Sequence, residues 1–181
     1  MMKTFETERI ILRPWQKSDA EALFKYASEA EVGLPCGWRP HKDIDESNFV
    51  LEKILMVPET YAVVLKETDE AVGSISLMMG GRYGEEEAEI GYWLGKPHWG
   101  KGIMPEAVKI LQNYAFCDLG KTVLWCGYFT GNDKSRRVSE KCGFNYHHTE
   151  YGVLMKQLGE TRDVNKTVIY KNEWEKMQKN S

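Results

Sequence analysis

The chain has 181 residues, 42% hydrophobic and 28% charged, the balance of a water-soluble fold large enough for a real core. A net charge of −3 gives no general attraction to nucleic acid or to a membrane surface. No apolar run approaches the roughly 20 residues of a membrane span, and the start, MMKTFETERI, lacks the apolar core of a secretory leader.

Arg9 to Arg13 predicts a short apolar strand stopped by Pro14. Ser18-x-x-Glu21 reads as a capping box, opening a helix with Leu23, Phe24 and Ala27 on its apolar side. Glu31 to His41, with two glycines and two prolines, predicts a loop. A second helix is expected from Asp43 through Phe49, Leu51 and Leu55 to Met56, with Pro58 beyond it. Thr60–Lys66 and Val72–Met79 flank a turn and predict a hairpin. Gly80 to Glu87 is a glycine-rich acidic loop.

The stretch EIGYWLGKPHWGKGIMPEA, Glu89 to Ala107, reads as strand, glycine turn and helix start. Glu89 to Leu94 is aromatic-rich and alternating. Gly91 in its middle would weaken it unless a bulge or a close backbone approach needs the space. Pro105 suits a first helical turn, where its missing N–H costs nothing, and Glu106 suits the positive end of the helix dipole. Val108, Leu111 and Ala115 carry the helical period, and Gly120 is the expected stop. A Gly-Lys-Gly turn feeding a helix start can aim several backbone N–H groups at a phosphate. From spacing alone, a tight strand-to-helix connection with nothing bound is an equal alternative. A P-loop is disfavoured because Gly102, not a hydroxyl residue, follows Lys101. A dinucleotide fingerprint is disfavoured because Pro105 stands where its third glycine belongs.

Thr122–Phe129 predicts a strand parallel to the one before the glycine turn. Asn132 or Asp133 caps a short helix that Gly143 ends. Phe144–Tyr151 and Val164–Tyr170 predict two last strands, and the charged tail from Asn172 is expected to fray. His147 and His148 are neighbours, so on a regular strand they point to opposite faces and share no metal. The four cysteines, Cys36, Cys117, Cys126 and Cys142, form no Cys-x-x-Cys pair and no zinc spacing. Free thiols in a cytoplasmic, metal-free protein are the expectation. No repeat or linker appears, so residues 1–181 are expected to form one domain, a mixed sheet with helices on its faces.

EIGYWLGKPHWGKGIMPEA, together with GNDKSRRVSEKCGF further on, resembles the GNAT acetyltransferase superfamily, and most closely its RimJ/RimL-type branch. The resemblance covers roughly Thr7 to His147. It implies an α+β fold with a twisted, mostly antiparallel sheet, a splayed central parallel strand pair and flanking helices. It also implies acetyl-CoA as cosubstrate, its pyrophosphate on the glycine turn through Trp99, Gly100, Lys101, Gly102, Ile103 and Met104. Two positions depart from the pattern. Pro97 stands where the superfamily loop often has Gln or Arg, and Pro105 where this branch usually has Thr. Neither removes the backbone donors.

Acetyl transfer to an amine needs a held thioester, an oxyanion donor, a proton acceptor and a stabilised leaving thiolate. Tyr92, Trp93 and Leu94 are the expected strand for pairing with the amide-rich arm of CoA, with an N–H near Tyr92 or Trp93 facing the oxyanion. Glu89 is the expected proton acceptor, directly or through an ordered water. It shares a face with Gly91 and Trp93, and burial there would favour its taking a proton. The alternative is a solvated glutamate at a strand edge. Asn132-x-x-Ser135 resembles the branch motif in which the asparagine contacts CoA and the serine lies near the sulfur. Read from the residues alone, Asn132 is simply a helix cap. For Lys134, Arg136 and Arg137 a solvated helix face is the expected role, with the CoA 3′-phosphate the alternative. The resemblance implies that the loop Glu31 to His41 and the late strands line the acceptor site, with Trp38 and Tyr151 as candidate wall residues and a core role the commoner alternative for an aromatic.

The leading expectation is therefore an acetyl-CoA-dependent N-acetyltransferase acting on a primary amine, either a protein N-terminus or a small molecule. The alternative is a CoA-binding sensor without turnover. A nucleotide-binding oxidoreductase is a third reading, which Pro105 argues against. No nucleic acid or membrane partner is expected, and a homodimer is the assembly to look for.

Overall fold

The computed structural model describes residues 2–80 and 82–179. Gly81, in the predicted acidic loop, and positions 180–181, in the predicted tail, lie outside the described residues. Among the described residues eight strands form one sheet, in the order β1-β2-β3-β4-β5-β6-β8-β7. They are β1 Phe5–Glu6, β2 Ile10–Pro14, β3 Thr60–Leu65, β4 Glu70–Met78, β5 Glu87–Leu94, β6 Val123–Phe129, β7 Asn145–Met155 and β8 Glu160–Tyr170. The β5–β6 pair is parallel, and the β1–β2, β2–β3, β3–β4, β6–β8 and β7–β8 pairs are antiparallel. The helices are α1 Ala20–Ala27, α2 Ala30–Gly33, α3 Ile44–Val50, α4 Ile103–Asn113, α5 Asp133–Lys141 and α6 Lys171–Lys179. The chain divides into two compact units, Met1–Ser76 with Tyr92–Ala107, and Leu77–Gly91 with Val108–Ser181.

In the first unit the β-branched run of β3 is buried along nearly its whole length, as expected of a strand covered on both faces. It lies between β2 and β4, and a bulge shifts the register where Val63 faces Gly73 and Val64 faces Ala71. Leu23, Ala27, Leu51, Ala62 and Trp15 form the core, with Trp15 donating its indole N–H to Ser74 Oγ at 3.1 Å. The predicted Ser18–Glu21 box does not form. The box lies two residues earlier, between Gln16 and Asp19, whose carboxylate accepts from the Gln16 N–H at 2.8 Å and from both Arg13 terminal nitrogens at 2.7 and 2.8 Å. A buried carboxylate with a bidentate guanidinium outcompetes a neutral serine cap. Asp43 does cap α3, accepting from the Glu46 N–H at 2.8 Å. Glu31 to His41 is less irregular than expected: α2 runs to Gly33, followed by a short 3₁₀ turn, Leu34–Cys36.

In the second unit β8 lies between β6 and β7, and Glu87–Ile90 of β5 pairs with Val123–Cys126 of β6. Phe116, Leu124 and Ile169 are fully buried in it. The tail corrects the expectation of fraying. It is α6, held by Trp174, 8% exposed, whose ring centroid lies 5.2 Å from that of Phe116. One aromatic anchor outweighs the charges around it. The histidine expectation is corrected too. A register shift between Tyr146 and His148 breaks the two-residue period, and the Nδ1 atoms of His147 and His148 come within 2.8 Å. Among the described residues no group of three or more potential ligands forms a metal site, and all four cysteines are free thiols. No helix there is long and apolar enough to cross a membrane.

His41 links sequence to pH behaviour. Its Nδ1 shares a 2.8 Å hydrogen bond with Ser47 Oγ, and burial pulls its pKa below the ordinary value, against a smaller opposing pull from Glu46. A histidine depressed in the fold contributes stability above its unfolded pKa of about 6.5, lost as pH falls through the folded value. The melting temperature should therefore drop on acidification below about pH 6.5. His41→Gln should flatten that drop in a thermal scan across pH.

Candidate functional site

The expected site residues fall into two sets, one in each unit. The first begins where β5 ends. The Gly95 N–H donates to Val72 O at 2.8 Å, and the Trp99 indole donates to Leu94 O at 2.7 Å, so the turn is tied back to its own strand and to β4. In this unit Gly73 of β4 makes a close backbone approach. A Cβ there would stand 2.5 Å from Trp93 O. Trp93 stacks on Trp15 with centroids 6.3 Å apart and meets Trp38 edge-on at 6.1 Å. Within this unit the expected acceptor-wall residue Trp38 therefore joins an aromatic cluster with a predicted cofactor-binding residue.

Lys96–His98 is a short 3₁₀ turn. Tyr26 OH lies 3.1 Å from His98 Nε2 and donates to Glu70 Oε1 at 3.1 Å. Burial, helped by Lys101, holds the His98 pKa below the ordinary value. Gly100 and Gly102 then take φ of 75° and 76°, the left-handed region closed to most side chains. Nothing lies within 4 Å of a Cβ built on Gly100, so conformation alone accounts for that glycine. Gly100, Lys101 and Gly102 lead straight into α4, with Ile103 and Met104 buried in its first turn and Pro105 its third residue. The first-turn N–H groups of a helix have no intrahelical acceptors.

Arg9 clamps this turn from outside. Its Nη1 donates to Lys101 O at 2.9 Å, its Nε donates to Glu106 Oε2 at 2.9 Å, and Nη2 pairs with the same carboxylate oxygen. Thr7 Oγ1 donates to Glu106 Oε1. Glu106 is thus a structural anchor as well as a dipole partner. Arg9 and Glu106 are 97 positions apart, and nothing local in the sequence links them.

The second set surrounds Glu89, 8% exposed on β5. It is buried rather than solvated, and two cations meet its carboxylate. Lys166 Nζ of β8 lies 2.5 Å from Glu89 Oε1, and Arg82 Nη2 lies 3.3 Å from Glu89 Oε2. Arg82 reaches on to Glu150 at 3.0 Å, and Lys166 to Tyr83 OH at 3.4 Å. Gly127 of β6, in register with Lys166, supplies the room. A Cβ there would sit 3.1 Å from Glu89 Oε1 and 3.5 Å from Lys166 Nζ. Sequence reading missed both cations. The available signal was a glycine in the middle of TVLWCGYF.

Asn132 Oδ1 accepts from the Ser135 N–H at 3.2 Å, the cap that its position predicts. Ser135 is therefore fixed at the start of α5. Arg136 is engaged by Asp133 and Glu140 at 3.1 and 3.0 Å, in keeping with a solvated helix face. Tyr151 is 80% exposed on β7.

Residues 9–145 match the family model described as an acetyltransferase (GNAT) domain. The chain is 35% identical over 127 residues to the uncharacterized N-acetyltransferase p20 of Bacillus licheniformis, covering 65% of this chain and 68% of that protein. It is 29% identical over 179 residues to the uncharacterized N-acetyltransferase YoaA of Bacillus subtilis, covering 94% and 98%. The fold superposes on a ribosomal-protein-S5-alanine acetyltransferase from Vibrio fischeri with a TM-score of 0.75, at 22% identity over 95% of this chain and 98% of that one.

Left-handed backbone at Gly100 and Gly102 should make the turn intolerant of branched residues. Gly100→Val should destabilise by about 1–2 kcal/mol, and Gly100→Asn by clearly less, because asparagine visits this region more easily. Denaturant titration of the two variants measures the difference.

Proposed function

The chain belongs to the GNAT acetyltransferase family, and from that membership we propose that it transfers the acetyl group of acetyl-CoA to a primary amine by direct attack in a ternary complex. The family match runs from residue 9 to residue 145 and so includes segments of both compact units, which supports reading the chain as one catalytic domain. The observation that carries the proposal is the left-handed turn Gly100–Lys101–Gly102 leading into α4 and clamped by Arg9. A turn of that shape presents main-chain donors and a positive helix end to a diphosphate.

The roles follow from position. Trp99 to Met104 hold the pyrophosphate through main-chain N–H groups, with Lys101 adding charge. The registered β5–β6 pairs end at Ile90 and Cys126, and Tyr92, Trp93 and Leu94 follow on β5. Their main chain is proposed to bond the amide-rich arm and to direct one N–H at the thioester oxygen. Glu89, directly or through a water, takes the proton that the attacking amine loses as the N–C bond forms. Ser135 donates to the sulfur as the C–S bond breaks, and Asn132 both caps α5 and contacts the coenzyme. The acceptor is proposed to be a peptide N-terminus or a small amine. The free thiols suit a reducing, cytoplasmic setting.

A screen of alkylamines and of alanine- and serine-initiated peptides, reading free CoA thiol, tests the assignment. Thiol release should depend on the amine. Acetyl-CoA binding without release for any acceptor would point to a sensor instead. Glu89→Gln should lower kcat by about 10²–10⁴-fold. Ser135→Ala should lower it by about tenfold or more, the worth of one hydrogen bond to a charged group. Arg9→Ala should raise KM for acetyl-CoA with kcat largely kept, because it loosens the turn and not the reacting centre.

A further inference from the structure

We propose that Lys166 is a positioning residue for the reaction, acting through Glu89. The inference rests on the reading of Glu89 as the proton-handling carboxylate. Lys166 keeps only 3% of its side chain exposed, and the Glu89 side chain 11%. A charged lysine almost never lies this deep in a fold unless it is paired. Replacing such a pair with well-packed apolar residues often leaves stability unchanged or improved, so stability alone does not account for it.

The surroundings are built for the pair. β6 carries no side chain where it passes, and Gly127 stands in register with Lys166. A methyl at Gly127 would press on Glu89 Oε1 at 3.1 Å and on Val164 Cγ1 at 3.3 Å. Lys166 takes Glu89 Oε1 at 2.5 Å while Arg82 takes Oε2 at 3.3 Å, so each carboxylate oxygen has its own cation. The two cations differ in kind. The Arg82 side chain is 56% exposed and shared with Glu150, a pair that solvent and salt weaken. Lys166 is buried beside Tyr83 and is the permanent member. One oxygen is therefore locked from inside the sheet. The other faces a replaceable surface cation, which an incoming amine or an ordered water can relieve. Lys166 thereby sets the rotamer and the reach of the carboxylate.

The test compares Lys166→Met, Lys166→Arg, Gly127→Ala, Glu89→Gln and the double variant Glu89→Gln/Lys166→Met. Turnover is read by thiol release from acetyl-CoA with an alanine-initiated hexapeptide or n-butylamine. Lys166→Met should lower kcat about 100-fold, the loss typical of a displaced reacting group, with KM for acetyl-CoA unchanged. Lys166→Arg should restore most of it. In the Glu89→Gln background Lys166→Met should cost nothing further, because its path is already cut. Gly127→Ala should also lower kcat while leaving the melting temperature equal or higher, since alanine suits a strand better than glycine. It disturbs the carboxylate without stripping it of its buried cation, so it carries the test if Lys166→Met fails to fold.

A second readout needs no turnover. In protein labelled with ¹³C at glutamate side chains, the Glu89 carboxyl signal should be single and sharp in the wild type and in Lys166→Arg. It should broaden in Gly127→Ala and in Lys166→Met. An unbroadened signal in both, or an equal loss of kcat from Lys166→Met with and without Glu89, would overturn the proposal. Full turnover in Glu89→Gln would instead remove Glu89 from the mechanism. The NMR arm would then still decide whether Lys166 orders it.

Discussion

A buried ammonium and a buried carboxylate in contact constrain the middle of this sheet. Taking either partner away strands a charge at a cost of about 3–5 kcal/mol. Lys166 on β8 and Glu89 on β5 reach each other past β6, and the contact depends on Gly127 leaving that strand bare. Register follows from it. A slip of one residue between β6 and β8 would turn Lys166 to the other face and leave Glu89 buried with only a surface arginine. The hydrophobic residues around the pair, such as Leu124 and Ile169, tolerate small shifts in a way that two opposite charges do not. The hydroxyls of Ser139 and Thr167, 2.7 Å apart, and the bond from Thr167 to Cys126 O at 2.8 Å tie α5 to the same strands.

The glycine turn is constrained differently. It is a stretch of backbone in a conformation that side chains resist, and distant residues keep it there. Arg9 and Thr7, from the connection between β1 and β2, both close on Glu106, so the start of α4 is anchored to that connection. On its other flank Tyr26 packs so closely that a Cβ on Gly95 would lie 2.4 Å from its ring. Three elements of the first unit thus converge on one short loop that has little hydrophobic mass of its own. Rigid support of a functional loop by a scaffold is the usual way such loops keep a defined shape.

What could be read in advance was whatever depends on period and on local turn chemistry. The strand at β5, the helical spacing of Val108 and Leu111, the Asp43 and Asn132 caps and the stop at Gly120, which the chain reaches through a π-helical turn at Tyr114–Asp118, all depend on neighbours within a few residues. The parallel β5–β6 pair followed from a helix separating two strands. The failures share a cause as well. Arg13 claims Asp19 and displaces the Ser18 box. Phe116 recruits Trp174 and turns a charged tail into a helix. A bulge in β7 brings together two histidines that alternation separates. Lys166 finds Glu89 across 77 positions. The Trp174 and Lys166 contacts lie far outside any short window. Arg13 and Asp19 are six positions apart and the histidines adjacent, but a competing side-chain partner and a register shift against β8 decide them, and neither shows in period or propensity. In the candidate site the turn was legible because glycine and proline punctuate it. The electrostatics of Glu89 were not, because Lys166 comes from 77 positions away and Arg82, seven positions before it, reaches it from a loop without periodic structure.

The ends of the sheet have a consequence of their own. An open row of backbone donors and acceptors on a terminal strand invites a stray strand to zip onto it. Here one border, β1, is only two residues long. The other, β7, runs eleven residues but its ladder is broken twice, near His147 and again between Glu150 and Val153. Each break twists the border and misaligns it with any straight newcomer. Tyr146 and Tyr151 can therefore sit largely in solvent on that border without making it a template for fibrils.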